Sequence, residues 1–366
     1  MIAFGRLDRY IFSQALAGVL IAAGAVCLAI ILVDVVEQLR NVAGVEGAGT
    51  GTALKFTLMR TPAILEQALP FAVLVGSIVT FMRLSRKSEV VAMRASGIST
   101  WRFLGPVAAL AGFIGIFTAL VLGPIASHLN ASYETQQSAL ANSTTVNDGS
   151  KLGKSLWMRD RGPQLHYTIN SAGQTNGVHT QVSIYTFAVA NSAFVARYDA
   201  KTAIRTATAW DLRDVTETRV GVAPIYYPTT RLALSASNGP TAQRGGDTTA
   251  RALPIWALPE AARSAAQSGG SPQRYWLQFH RRLALPITLL SMAIIAAVLS
   301  LSSDRAGGRA LMTAAAIGAG LVIYFVNDLA GALATAGYAP SWIAAWCPPL
   351  AALFIAMATV SFREDG

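Results

Sequence analysis

Whatever chemistry this chain performs falls to its charged residues, and these gather at the ends of apolar runs rather than around a nucleophile. There is no glycine-rich phosphate loop, no nucleophile elbow, no HExxH and no framed pair of carboxylates. An ATP-driven activity would therefore need a second polypeptide. Cys27 and Cys347 both fall inside apolar runs and no Cys/His cluster has metal-ligand spacing, so neither a disulfide, a metal nor a cofactor is expected.

The densest cluster is RLSRKSEVVAMRASGISTWR, residues 83–102, where Arg83, Arg86, Lys87, Arg94 and Arg102 face a single acid, Glu89. Ser85 is placed to cap a short helix and Gly97 to end it in the left-handed region, which predicts about three turns over residues 85–97. On a helical wheel Leu84, Ser88, Val91 and Ala95 share one small face, with Lys87 and Arg94 beside it. Two chemistries fit. The helix could lie on anionic headgroups, at about 1 kcal/mol per basic residue. It could instead couple the chain to a cytoplasmic motor.

A second set of polar residues lies within or near apolar runs. Glu66 falls about six residues into one of them, where facing lipid would cost on the order of 1–3 kcal/mol, so it is expected to face protein or a wet cavity. Asp34, Glu37 and Arg40 recur every three residues and so are expected near one face of a helix end, solvated or in contact with a ligand. Asn327 and Asp328 occupy a similar end. His280, Arg281 and Arg282 open another run, where snorkelling or contact with an anionic headgroup are the two readings.

The elements that position these residues follow from composition. A chain of 366 residues with 13% charged residues and several apolar runs of about 20 residues is an integral membrane protein. The net charge of +10 is thinly spread without interleaved aromatics, which argues against nucleic-acid binding. Three runs come first: Ala15 to Val33, Thr61 to Met82 with Pro62 and Pro70, and Phe103 to Gly123, expected to stop at Pro124. The first resembles a signal peptide only superficially, lacking a clean small-x-small site, and reads as a retained helix. Three more runs, Leu283 to Ser302, Ala310 to Asp328 and Trp342 to Phe362, close the chain. Basic residues in the 83–102 loop, in the loop bearing Asp304, Arg305 and Arg309, and at Arg363 place those segments in the cytoplasm. The insertion between the two sets lies outside. Its alternating runs QLHYTIN, QVSIYTF, AFVARYD, AWDLRDV and TRLALSA predict antiparallel strands in a sandwich or jelly roll, with Trp157, Tyr167, Tyr185, Phe187, Tyr198 and Trp210 filling the core. Residues 257–269 read as a helix and SGGSP as a linker. The expected division is 1–126 for a first membrane half, 127–275 for an all-β, jelly-roll-like domain and 276–366 for a second membrane half: six transmembrane helices with an inserted β domain.

Six stretches together carry a resemblance: LDRYI (residues 7–11), VVEQLRNVAG (35–44), LPFAVLVG (69–76), SRKSEVVAMRASG (85–97), SLWMRD (155–160) and RYWLQFHRRLALP (274–286). Over its whole length the chain resembles the LptF/LptG permeases of the lipopolysaccharide exporter, with the opening GRLDRYIF nearer the LptG branch. The resemblance implies a subunit of an ATP-driven exporter in the inner membrane of a Gram-negative bacterium, extracting lipopolysaccharide from the outer leaflet and passing it to a periplasmic bridge. Its implied partners are an LptF-like subunit, an LptB ATPase dimer, LptC and lipopolysaccharide. It also implies that Arg86, Lys87, Glu89 and Arg94 lie at the ATPase contact. Ile30, Val33, Leu321 and Phe325 would meet acyl chains along helices one and five, and Glu37, Arg40, Arg281 and Arg282 would lie near the headgroup. Arg40 matches a basic position of the family, whereas Asp34, Asn41, Ala131 and Glu134 stand where positive charge is expected. The competing reading is a mechanotransmission permease, which usually has four helices, or a polytopic scaffold that carries no lipid.

Overall fold

The computed structural model describes residues 5–43, 49–147, 156–175, 177–189, 193–206, 208–234, 241–242, 250–267, 271–300 and 309–364. Asp304 and Arg305 lie outside them. The chain forms two compact units. One comprises residues Met1–Tyr133, Ala252–Ile255 and Trp276–Gly366, the other Glu134–Arg251 and Trp256–Tyr275.

The first unit is helical. α1 (Arg6–Val42) and α2 (Thr50–Arg86) are each 37 residues long, or about 55 Å, against a hydrocarbon core of about 30 Å, so both overshoot a bilayer by several turns. α3 (Glu89–Ala95) is short, and α4 (Thr100–Phe117) runs through a π-helical turn (Thr118–Leu122) into α5 (Gly123–Asn147). The expected stop at Pro124 does not occur. The Gly123 N–H reaches back to the Thr118 carbonyl, and this widened turn makes room for a proline that neither donates to the residue four back nor tolerates its carbonyl at α-helical spacing.

After the second unit come α7 (Gln273–Ser300), α8 (Arg309–Thr335) and α9 (Ser341–Glu364). Six helical stretches among the described residues are long and apolar enough to cross a membrane. Ile11, Val19, Leu74, Phe81, Phe103, Leu289 and Met292 are among the buried residues of their common core. Glycine brings α1 and α2 into backbone contact: a Cβ on Gly76 would stand 2.5 Å from the Val19 Cα and 2.8 Å from the Gly18 carbonyl carbon. Thr80 adds a hydroxyl that donates to the Gly76 carbonyl at 2.7 Å, keeping its polar atom satisfied inside the bundle.

The second unit holds β1 (Leu156–Arg161), β2 (Leu165–Thr175), β3 (Val178–Ala188), β4 (Phe194–Arg205), β5 (Ala209–Thr218), β6 (Ile225–Ala233), the two-residue β7 (Thr241–Ala242) and the helix α6 (Leu258–Gln267). One antiparallel sheet runs in the order β6-β5-β4-β3-β2-β1-β7. It rolls over its own core, because strands that are not neighbours touch. The Tyr167 hydroxyl on β2 donates to the Ala233 carbonyl on β6 at 2.9 Å. Asp160 on β1 accepts from Arg205 Nε on β4 at 2.9 Å and from Trp210 Nε1 on β5 at 3.2 Å. Of the six aromatics expected inside, Tyr167 and Trp210 are buried and Tyr185, Phe187 and Tyr198 are half-buried. Trp157 is 39% exposed and stacks on Tyr185 with ring centroids 6.2 Å apart. Aliphatic residues such as Ile169, Ile184 and Leu212 fill the remainder.

Two predictions follow from this packing. Replacing Gly76 by Ala should push α1 and α2 apart and lower the melting temperature of the purified chain in detergent, at a cost of about 1–3 kcal/mol, whereas Gly24→Ala, with nothing within 4 Å, should not. In the β unit, burial holds the His179 imidazole below its ordinary value, beside Ser171 at 3.3 Å and the Trp210 ring. The folded state then binds that proton more weakly than the unfolded chain, so the stability is complete above about pH 6.5 and is lost as pH falls below it. The urea midpoint followed by tryptophan fluorescence should be lower at pH 5 than at pH 7.5, by a margin that shrinks in His179→Gln.

Candidate functional site

At one end of the bundle α3 is set off from α2 by Lys87 and Ser88, the latter in the left-handed region at φ 59°. The helix spans two turns, not three. Ser85 is absorbed into α2, and the Ala92 N–H donates to the Ser88 carbonyl. The C-terminal expectation holds: Gly97 has φ 78° and the Ile98 N–H reaches the Met93 carbonyl at 3.0 Å, closing a Schellman turn. Val90 and Met93, three apart, join the core, whereas Ser88 and Ala95 of the small face are exposed; the side chain of Val91 lies outside the described residues. Glu89 accepts from the Tyr10 hydroxyl of α1 at 3.2 Å and lies 3.8 Å from Lys87 Nζ. That contact gives the LDRYI stretch a role that spacing alone did not reveal. Arg86 and Lys87 are exposed; the side chain of Arg94 lies outside the described residues.

At the other end of the bundle, Asp34 does not share a solvated face with Glu37 and Arg40. It is 5% exposed and pairs with Arg60 of α2 at 2.5 Å, while Glu37 and Arg40 remain exposed. The Arg60 guanidinium also sits over the Tyr133 ring, 5.4 Å from its centroid, and the Tyr133 hydroxyl donates to Gln38 Oε1 at 3.3 Å. Phe56 meets the same ring edge-on at 5.3 Å. The node joins α1, α2 and α5, and leaving Asp34 buried without Arg60 would cost about 3–5 kcal/mol. Arg60, Gln38 and Tyr133 escape sequence inspection because no local pattern links them.

Glu66 faces protein, as expected. Its partner is Arg282 of α7, at 3.5 Å, with the two side chains 15% and 3% exposed. Arg282 also donates to the Leu253 carbonyl at 2.6 Å and to Ser127 Oγ of α5 at 3.1 Å. It therefore neither snorkels nor meets a headgroup, because Glu66, Ser127 and the Leu253 carbonyl replace its water. Arg281 is half-buried and donates to the Asn327 carbonyl of α8 at 2.8 Å.

The remaining lipid candidates lie on the two least buried spans. α1 and α8 bury little of their apolar length, and Val33, Leu321 and Phe325 are 70%, 57% and 66% exposed, with Ile30 half-buried. α8 stays close to α2 on its other side. A Cβ on Gly320 would collide with Leu74, and the Phe71 and Tyr324 rings lie 5.1 Å apart. An apolar groove of about 360 Å³ runs beside Leu54, Leu58 and Leu129, with Lys55 at its edge. Such surfaces suit lipid or another membrane helix, not water. Among the described residues no group of His, Cys, Asp and Glu could hold a metal.

Comparison with known proteins agrees with this geometry. Residues 9–361 match the family described as "Lipopolysaccharide export system permease LptF/LptG". The chain is also 25% identical over 370 residues to the Haemophilus influenzae "Lipopolysaccharide export system permease protein LptG", covering 96% of each sequence. With six helices able to span a membrane, an inserted antiparallel β unit and a match along nearly its entire length, the chain belongs to the LptF/LptG family of lipopolysaccharide export permeases.

Proposed function

We propose that this chain is the LptG-type subunit of an ATP-driven exporter that lifts lipopolysaccharide from the outer leaflet of a Gram-negative inner membrane and passes it to a periplasmic bridge. Its counterparts are an LptF-like subunit, two copies of the ATPase LptB, and LptC. The observation that carries the reading is the family match across residues 9–361, joined to a short helix docked on the core directly after the exposed Arg86 and Lys87. The end of α2 and the start of α3 present Arg86, Lys87 and Glu89 to the ATPase, with Arg94 on α3, while Val90 and Met93 fasten α3 to the bundle so that its displacement moves α2.

On the opposite side α1 and α8 form the walls against which acyl chains slide, through Ile30, Val33, Leu321 and Phe325. Glu37 and Arg40 remain at the rim; the inward turn of Arg282 removes it from this group. The β unit receives the lipid next. β6 ends the sheet with Ile225 and Tyr226 exposed, an edge suited to strand addition by a neighbouring β domain.

Charge reversal at Glu89 sets a cation beside Lys87 and abolishes the Tyr10 contact. Glu89→Lys should insert normally yet copurify with far less ATPase; full copurification and normal export would remove α3 from that interface. At the rim, a charge-assisted contact is worth about 1.5–3 kcal/mol. Arg40→Ala should therefore reduce lipopolysaccharide copurification and lipopolysaccharide-stimulated ATP hydrolysis together, on the order of tenfold, whereas Glu37→Gln changes little. Wild-type values for Arg40→Ala would move headgroup recognition to the partner subunit.

A further inference from the structure

The contacts of Arg282 join three parts of the chain that are remote in sequence. Glu66 belongs to α2, Ser127 to α5, and Leu253 to residues Ala252–Ile255. That four-residue stretch packs with the helical unit, although the residues before and after it belong to the β unit. The chain therefore touches the bundle at this point between two passages through the β unit, and Arg282 holds it there by a main-chain carbonyl at 2.6 Å. Ser127 completes the arrangement with its hydroxyl 3.1 Å from the same carbonyl.

Each helix that enters this junction is irregular beside it. Pro70 follows Glu66 by four residues and Pro286 follows Arg282 by four, so each side chain projects from a turn whose helical hydrogen bond a proline removes. The π turn Thr118–Leu122 immediately precedes the turn bearing Ser127. Gly115 admits Pro286 against its backbone, where a Cβ would collide. Bending concentrates at such turns. An ion pair placed between two of them holds the proline-bearing segments of α2 and α7 together.

α2 is also the helix that leads directly into α3. Glu66 and Arg86 are twenty residues apart on it, about 30 Å, with only Lys87 and Ser88 between Arg86 and α3. We infer that Arg282 is a positioning residue for export, which ties the α2 lever at Glu66 to the Leu253 segment and so delivers the displacement of α3 to the connection of the β unit. The inference rests on the export reading above. A guanidinium serves here because three segments must be held in fixed directions at once, which a single ammonium on a flexible stem does not do.

The test uses the complete transporter, with its permease partner and ATPase, in proteoliposomes, where ATP hydrolysed and lipopolysaccharide released are counted in the same vesicles. Arg282→Lys and Glu66→Gln keep hydrogen-bonding groups in place and should assemble and hydrolyse ATP near the wild-type rate. Both should release about fivefold or more less lipid per ATP, the scale of an ordinary coupling between distant sites. Unchanged lipid per ATP in both variants overturns the assignment. So does a loss of assembly and thermal stability with the ratio intact in the surviving complex, since the pair then serves folding alone. A wild-type complex that hydrolyses ATP without releasing lipid rejects the export reading itself.

Discussion

The hydrocarbon interior of a bilayer offers no water, so each polar group taken into it must find its partner in the protein. That constraint accounts for the most informative contacts of the helical unit. Glu66 and Arg282 meet across α2 and α7, Asp34 meets Arg60 across α1 and α2, and the Thr80 hydroxyl turns back onto its own helix. A buried pair of this kind gains little over a well-packed apolar pair, but loss of either member is expensive. Its value lies in specifying which turns face one another.

Apolar burial cannot supply that specificity here, because lipid solvates a leucine as well as a protein does. The close approaches are made instead by small residues: Gly18 and Gly76 between α1 and α2, Gly115 against Pro286, and Gly320 against Leu74. What these contacts leave bare is equally instructive. α1 and α8 display exposed aliphatic and aromatic side chains over most of their spans, whereas α2 and α7 are largely enclosed.

The β unit solves its packing problem by the ordinary rules of proteins in water. Alternating strands bury one face, and the sheet rolls until distant strands close on Tyr167 and Trp210. Its charges are held locally. Burial tends to raise the Glu217 carboxyl, but hydrogen bonds from Arg219 and Tyr198 and the Arg219 charge outweigh it and hold the group below the ordinary carboxylate range. Arg197, bonded to Asp199 and lying over the Tyr185 ring, makes a second such contact on the half-exposed face. Charge in this unit is stabilised by short-range pairing, with the Glu217 and Asp160 carboxylates buried beside Arg219 and Arg205.

Sequence alone determined the class of the protein, six spans with an inserted β domain, because length and hydropathy report directly on transfer from water and alternation reports directly on a half-buried strand. It also located α3 and its glycine terminus, since cap chemistry is local. The face that α3 buries was not legible: with two turns and several small residues the wheel is nearly degenerate, and Val90 and Met93 were selected by the core they meet. Nor could spacing separate Asp34 from Arg40 or foresee the direction of Arg282. A charged residue at a helix end can turn to water, to a headgroup or inward, and only the position of Arg60, Glu66 and the Leu253 carbonyl, brought from remote parts of the chain, decides which environment stabilises the charge.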